Sequence, residues 1–191
     1  MENRNFPYII AIAAVSGGGK TTIATKLADK LDKSKVLYFD DYEFDGPSDI
    51  MDWVDNGTNY DDWDLTPLVT DLKLLITEKL NYIVLDYPMA YKNSHISNFI
   101  DLAVFIDTPL DIALARRIHR DYQQESSEKI LDELTFYLTH GRRGYLEMLR
   151  TIKSASDEVV DGSKSIAEIT DNIAELILQK VENNNVKHRT Y

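Results

Sequence analysis

The stretch Ala14-Val15-Ser16-Gly17-Gly18-Gly19-Lys20-Thr21-Thr22 decides how the rest of this 191-residue chain is read. It closes the apolar run Tyr8–Val15 and opens a segment in which Ile23, Leu27 and Leu31 recur every four residues. A strand, a glycine-rich turn and an amphipathic helix in that order make a phosphate-binding loop. The glycines let backbone N–H groups wrap a phosphate chain, and the helix N-terminus adds partial positive charge. Ser16, Gly17, Gly18, Gly19, Lys20, Thr21 and Thr22 are therefore the expected nucleotide-binding residues. Lys20 would reach the outer phosphates, its charge serving them rather than the core, and the Thr21 hydroxyl would ligate magnesium. The strict pattern wants glycine six positions before the lysine, where Ala14 stands; alanine there is strained if the backbone needs a positive φ. The bland alternative is a flexible turn with a surface lysine. Its position between strand and helix argues against that.

Working outward, short apolar runs alternate with segments of helical period. The strand candidates are Tyr8–Val15, Lys35–Phe39, Tyr82–Asp86, Leu102–Asp107 and Asp157–Val160. Several are apolar throughout, as strands covered on both faces must be. Leu68, Leu72 and Ile76 mark a helix over Thr66–Leu80, with Pro67 and Pro109 in first turns behind the expected N-caps Thr66 and Thr108. The alternation predicts an α/β fold of three layers around a central parallel five-stranded sheet. Residues 1–182 are expected to form a single domain, with 183–191 a polar, frayed tail. Two excursions, Asp40–Asp64 and Asp121–Arg150, are long enough to be binding loops or lids, the second giving a lid region over 121–150.

Composition narrows the function classes. With 32 acidic against 21 basic residues the formal net charge is −11, which argues against nucleic acid or an anionic membrane as partner. The absence of cysteine excludes disulfides, thiolate metal sites and a cysteine nucleophile. No apolar run approaches a spanning length, so a cytoplasmic location is expected.

Phosphoryl transfer also needs carboxylates for the metal and for the proton of the acceptor. Asp40 and Asp41 follow the second strand, at the edge where open α/β sheets bind ligands. Asp86 closes the apolar run Tyr82-Ile83-Val84-Leu85 and would hold magnesium through water. Each of these, read alone, could equally be a cap or a turn residue. Asp107, beside Thr108, is expected to be structural. In Arg116-Arg117-Ile118-His119-Arg120-Asp121, helical spacing puts Arg116 and Arg120 on one face and pairs Arg117 with Asp121. The four histidines show no ligand spacing. Trp53 and Trp63 could stack on a base or close a loop over the core.

Taken in order, Ser16–Thr22, Asp40-Asp41-Tyr42, Arg116–Asp121 and Ser156-Asp157-Glu158-Val159 resemble the uridine kinase and phosphoribulokinase branch of the P-loop kinases, over about Tyr8 to Gly162. The resemblance implies that Asp40 is the general base for a nucleoside 5′-hydroxyl and borders the metal. It implies that Thr21 and Asp86 serve the same metal. Arg117 would be a substrate-side arginine, Arg120 would steady the phosphates, and Asp61 would grip ribose hydroxyls. Lys20, Asp40, Arg117 and Arg120 are thus the expected catalytic group. Two departures stand out. The chain has no room between 66–80 and 82–86 for the hairpin with which uridine kinases read the pyrimidine. Tyr122–Lys129 also lacks the arginines that follow Arg-Asp in the family; Arg142 and Arg143 could replace them or be a basic turn. The expected function is an ATP- and Mg2+-dependent kinase of a small-molecule hydroxyl, nucleoside first. A kinase of a vitamin or sugar phosphate and a nucleotide-gated switch remain as alternatives, and a homo-oligomer stays open.

Overall fold

Parallel strands β1 (Tyr8–Ala13), β2 (Ser34–Tyr38), β3 (Tyr82–Asp86), β4 (Leu102–Asp107) and β5 (Glu158–Asp161) lie side by side in the order β2-β3-β1-β4-β5. The computed structural model describes residues 6–187, with side chains to Glu182. Helices α1 (Lys20–Lys30), α2 (Ile50–Asp55), α3 (Thr66–Ile76), α4 (Ser94–Ser97), α5 (Leu110–Tyr122), α6 (Ser127–Phe136), α7 (Arg142–Ala155) and α8 (Ile166–Lys187) complete the chain. The frayed end expected from Asn183 lies largely outside the described residues, and α8 continues to Lys187. Among the described residues no helix is long and apolar enough to cross a membrane.

Strand β1 is buried along its whole length because it sits at the centre of the sheet with both faces covered. Ile9, Ala11 and Ala13 face a core completed by Leu68 and Leu72 of α3, Ala113 of α5 and Ile152 of α7. Tyr8, Ile10 and Ile12 face the opposite core, with Ile23 and Leu27 of α1 and Ile169, Ile173 and Ile177 of α8. The register then levels the strand ends: both Ile12 of β1 and Tyr38 of β2 pair with Asp86 of β3. The turn after β1, the residues after β2 and the last residue of β3 meet at one edge.

Several local expectations are corrected. Thr66 is the first residue of α3 rather than its cap; its amide and hydroxyl both donate to Asp64 Oδ1, at 2.9 and 2.5 Å. Helix α3 stops at Ile76, four residues short of Leu80, where the Thr77 hydroxyl turns back onto the Leu74 carbonyl. Thr108 caps nothing: Pro109 precedes α5, and the Thr108 side chain is used elsewhere. Gly141 and Gly144 lie within continuous helix. A π-helical turn over Tyr137–Gly141 joins α6 to α7, and Tyr137 and Tyr145 pack edge-to-face with centroids 5.2 Å apart. The helix cost of glycine, about 1 kcal/mol, is small beside the burial of two tyrosines.

Candidate active site

The turn after β1 is shaped by two left-handed glycines, Gly17 (φ 76°) and Gly19 (φ 98°). Gly18 is required for a different reason: a Cβ there would stand 2.8 Å from the Ala14 Cβ and 2.8 Å from the Val15 carbonyl. Ala14 has no positive φ and is buried, so its departure from the glycine pattern carries no strain. The methyl of Ala14 fills the space that Gly18 leaves.

Thr108, at the end of β4, donates its hydroxyl to the Gly18 carbonyl at 2.8 Å and so fixes the loop from below. A side chain on Gly162 would overlap that hydroxyl, which explains the glycine after β5. Neither residue was singled out by the sequence for this work, because the contact spans 90 residues.

The loop forms one side of a cavity of about 960 Å3. Ser16, Gly17, Gly19, Lys20, Thr21 and Thr22 line it, with Asp40, Arg116 and Arg120 among the residues around them. Asp40 sits in the 3₁₀ turn Phe39–Asp41 directly after β2. Asp40 and Asp41 are both exposed, but Asp41 stands outside the cavity lining. The Asp40 charge reaches the Arg120 guanidinium, whose own hydrogen bonds go to Asp121 at 2.5 and 2.9 Å. Those bonds to Asp121 hold Arg120 above its ordinary pKa and hold the Asp121 carboxyl below the usual range. Arg116, read from the sequence only as a neighbour of Arg120, has Nη1 3.9 Å from the Cβ position of Gly19 and so lies against the phosphate loop.

Lys20 corrects another expectation, since its charge serves a core group as well as any phosphate. Its Nζ donates to Asp86 Oδ1 at 2.6 Å, and Asp86 is 1% exposed. Asp86 Oδ2 is buried with no protein partner. That orphaned oxygen is a carboxylate donor of the kind that suits a hard cation. Among the described residues there is no cluster of three or more His, Cys, Asp or Glu side chains that could hold a metal by themselves.

Other expected residues are not among those lining the cavity. Arg117 does not pair with Asp121: its Nη2 forms an ion pair with Glu133 Oε1 of α6, because α6 folds back against α5 and offers a half-buried carboxylate. Asp61 Oδ1 accepts the Ser94 amide at 2.6 Å at the start of α4. Arg143 is committed to Asp55 of α2 at 2.8 Å. Trp53 packs edge-on against Tyr60 and Trp63, and both tryptophans rest on the core, so they close the 40–64 loop over it. That loop is tied to α7 by Thr58 to Glu147 (3.0 Å) and Tyr60 to Thr151 (2.8 Å) as well as by Asp55. Asp107 accepts from Lys153 of α7 at 2.6 Å.

Comparison with known proteins agrees with this geometry. The chain is 26% identical over 178 residues to a uridine kinase of Borrelia garinii subsp. bavariensis, covering 80% of this chain and 85% of that protein. A uridine kinase of Lactobacillus johnsonii is 26% identical over 186 residues, covering 81% and 86%. The fold is shared with a gluconokinase from Sinorhizobium meliloti (TM-score 0.54, 16% identity, 98% of this chain and 100% of that one) and with the Deinococcus radiodurans tunicamycin resistance protein (TM-score 0.55, 17% identity, 90% and 95%). The model of the Phosphoribulokinase / Uridine kinase family matches residues 56–161, more than half of the chain. A phosphate loop facing carboxylates and arginines across one cavity is thus explained by descent: the chain belongs to the Phosphoribulokinase / Uridine kinase family and is an ATP-dependent phosphotransferase acting on a hydroxyl group.

Proposed function

We propose that the acceptor is a nucleoside, that transfer needs magnesium, and that Asp40 is the general base. The observation that carries this reading is Asp40 lining the same cavity as Ser16, Gly17 and Gly19 to Thr22. ATP would lie with its phosphates in the loop, drawn by Lys20 and the N-terminus of α1. Thr21, Asp40 and Asp86 would hold the magnesium, which supplies charge neutralisation at the phosphates. Asp40 takes the acceptor proton as the hydroxyl oxygen approaches phosphorus, and Arg120 meets charge at the phosphate oxygens. Asp61, with one oxygen used by Ser94, would offer the other to ribose hydroxyls. Arg117 would come to the substrate side once released from Glu133. The acidic, cysteine-free chain suits the cytoplasm, where ATP is supplied.

Base selection differs from that of a pyrimidine reader. Only 77–81 separate α3 from β3, so no hairpin stands at that place. The aromatic loop 40–64 is the segment left to meet the base, and uridine and cytidine should be poor substrates. The test is ADP release from the full chain with ATP, magnesium and a panel of nucleosides and polar metabolites. Stimulation by a nucleoside supports the reading. Stimulation by a non-nucleoside alone overturns it, and efficient use of uridine with purine nucleosides rejected overturns the base argument.

A further inference from the structure

We infer that Arg116 is a further catalytic residue, whose guanidinium holds the phosphate chain of the nucleotide on the ADP side of the bond that breaks. The inference rests on the family's phosphotransfer chemistry and on phosphates occupying the loop.

Three observations converge. First, Arg116 lines the cavity together with Ser16, Gly17, Gly19 and Lys20, and its Nη1 stands 3.9 Å from the Cβ position of Gly19. Second, the helix that carries it is seated on the same turn. A Cβ on Gly17 would overlap the Ala113 carbonyl and stand 3.1 Å from the Arg117 backbone nitrogen, so the backbone of α5 touches the loop. Helical spacing then turns Arg116 and Arg120 to the cavity, while Arg117 goes to Glu133 of α6. Third, Arg116 has no hydrogen-bond or ion-pair partner among the described residues.

The charged residues of the lining are Lys20, Asp40, Arg116, Arg120 and Asp121. Lys20 is neutralised by Asp86 at 2.6 Å, and Arg120 has given its Nε and Nη2 to Asp121. Arg116 is the cation of the lining whose donors are all uncommitted. An exposed arginine needs no partner of its own, since water solvates it; what marks Arg116 is its place beside Gly19. Backbone amides of such a loop take the α- and β-phosphates, so a group beside Gly19 meets that part of the chain rather than the acceptor. A guanidinium fork matches phosphate oxygens two at a time. The stretch Tyr122–Lys129 carries no arginine, and Arg142 and Arg143 of α7 stand outside the lining, Arg143 held by Asp55. Within the lining that charge is left to α5. During transfer the bond from the γ-phosphorus to the ADP oxygen breaks as the acceptor oxygen bonds to phosphorus. The acceptor proton goes to Asp40, negative charge collects on the β-phosphate, and Arg116 keeps its protons while donating to that phosphate.

Arg116→Ala and Arg116→Lys are compared with the unaltered full chain, and Lys26→Ala, at an exposed lysine of α1 outside the lining, controls for the lost charge. Affinity for ADP and for inorganic triphosphate, both with magnesium, is measured by calorimetric titration beside acceptor-dependent ADP release and melting temperature. Arg116→Ala should weaken both ligands by roughly 10- to 100-fold, the usual worth of hydrogen bonds to a charged group, and lower turnover at saturating ATP within the same range. Arg116→Lys should recover part of the loss, since it restores the charge without the fork. The melting temperature should not change, because the side chain is exposed and unpaired, and Lys26→Ala should match wild type. Affinities within twofold of wild type would overturn the inference, as would unchanged turnover at saturating ATP. So would a loss for ADP with inorganic triphosphate unaffected, which marks a contact to the base, or an equal loss in Lys26→Ala, which marks a general effect of net charge. The titrations need no acceptor, so they decide Arg116 even where every acceptor on the panel fails and the nucleoside reading falls.

Discussion

Lys20 Nζ donates to Asp86 Oδ1 at 2.6 Å, so the lysine of the phosphate loop and the carboxylate that ends β3 neutralise one another across 66 residues. Both are largely removed from water, at 13% and 1% side-chain exposure. Each therefore depends on a counter-charge. Loss of either partner would leave the other a largely buried charge without its counter-ion.

Lys20→Ala should consequently do more than weaken nucleotide binding. It strands the Asp86 carboxylate, and removal of one partner from a buried pair costs about 3 kcal/mol or more. The melting temperature without nucleotide should drop, and ATP turnover should disappear. Lys20→Ala with Asp86→Asn should recover much of the stability and none of the turnover, as read by thermal unfolding and ADP release. A single variant as stable as wild type would mean that the pair contributes nothing to the fold.

Asp40→Asn should lower acceptor phosphorylation by about 10²–10⁴-fold, the usual worth of general-base assistance. ATP should still bind through the loop, with at most a modest loss of magnesium affinity. Asp41→Asn is the control, since Asp41 lies outside the cavity lining and should turn over almost normally. Reversal of the two results would shift the base by one residue; no effect from either would favour a nucleotide switch.

Thr108→Val removes the hydroxyl that fixes the Gly18 carbonyl and leaves that carbonyl without its 2.8 Å donor. The expected cost is about 1–2 kcal/mol of stability together with weaker ATP binding, whereas Thr108→Ser should behave as wild type. Gly162→Ala should resemble Thr108→Val, because the added methyl overlaps the same hydroxyl. Calorimetric titration with ATP analogues on these three variants checks the relation.

Acid should loosen the tether between the 40–64 loop and α7. Hydrogen bonds from Arg150, and secondarily Thr58, hold the Glu147 carboxyl below the usual carboxylate range. A carboxyl with a lowered folded pKa stabilises the protein above its unfolded value, near 4.3, and that stability is lost as pH falls through the folded value. Glu147→Gln should cost roughly 1 kcal/mol at pH 7, and the difference from wild type should shrink toward zero as the pH falls through the lowered folded value. Unfolding curves collected from pH 7 to pH 2.5 measure it; a pH-independent gap would assign the effect to packing alone.

The sequence by itself determined the sheet, the phosphate loop and the two carboxylates that close on it. These are legible because each depends on neighbours in the chain: alternation of apolar runs, glycine spacing, and a carboxylate placed where an apolar strand ends. Local chemistry also misled at Thr66 and Thr108, where a threonine before proline resembles a cap. At Arg117 the i,i+4 partner Asp121 was available, yet Glu133 from another helix holds the guanidinium. Tertiary structure alone decided those partners, the use of Lys20 by Asp86 and the tether from Thr108 to Gly18. The physical reason is that burial sets the worth of a charge or a donor. Sequence spacing reports which groups share a face, but only the packed fold reports which of them have lost water and must find one another.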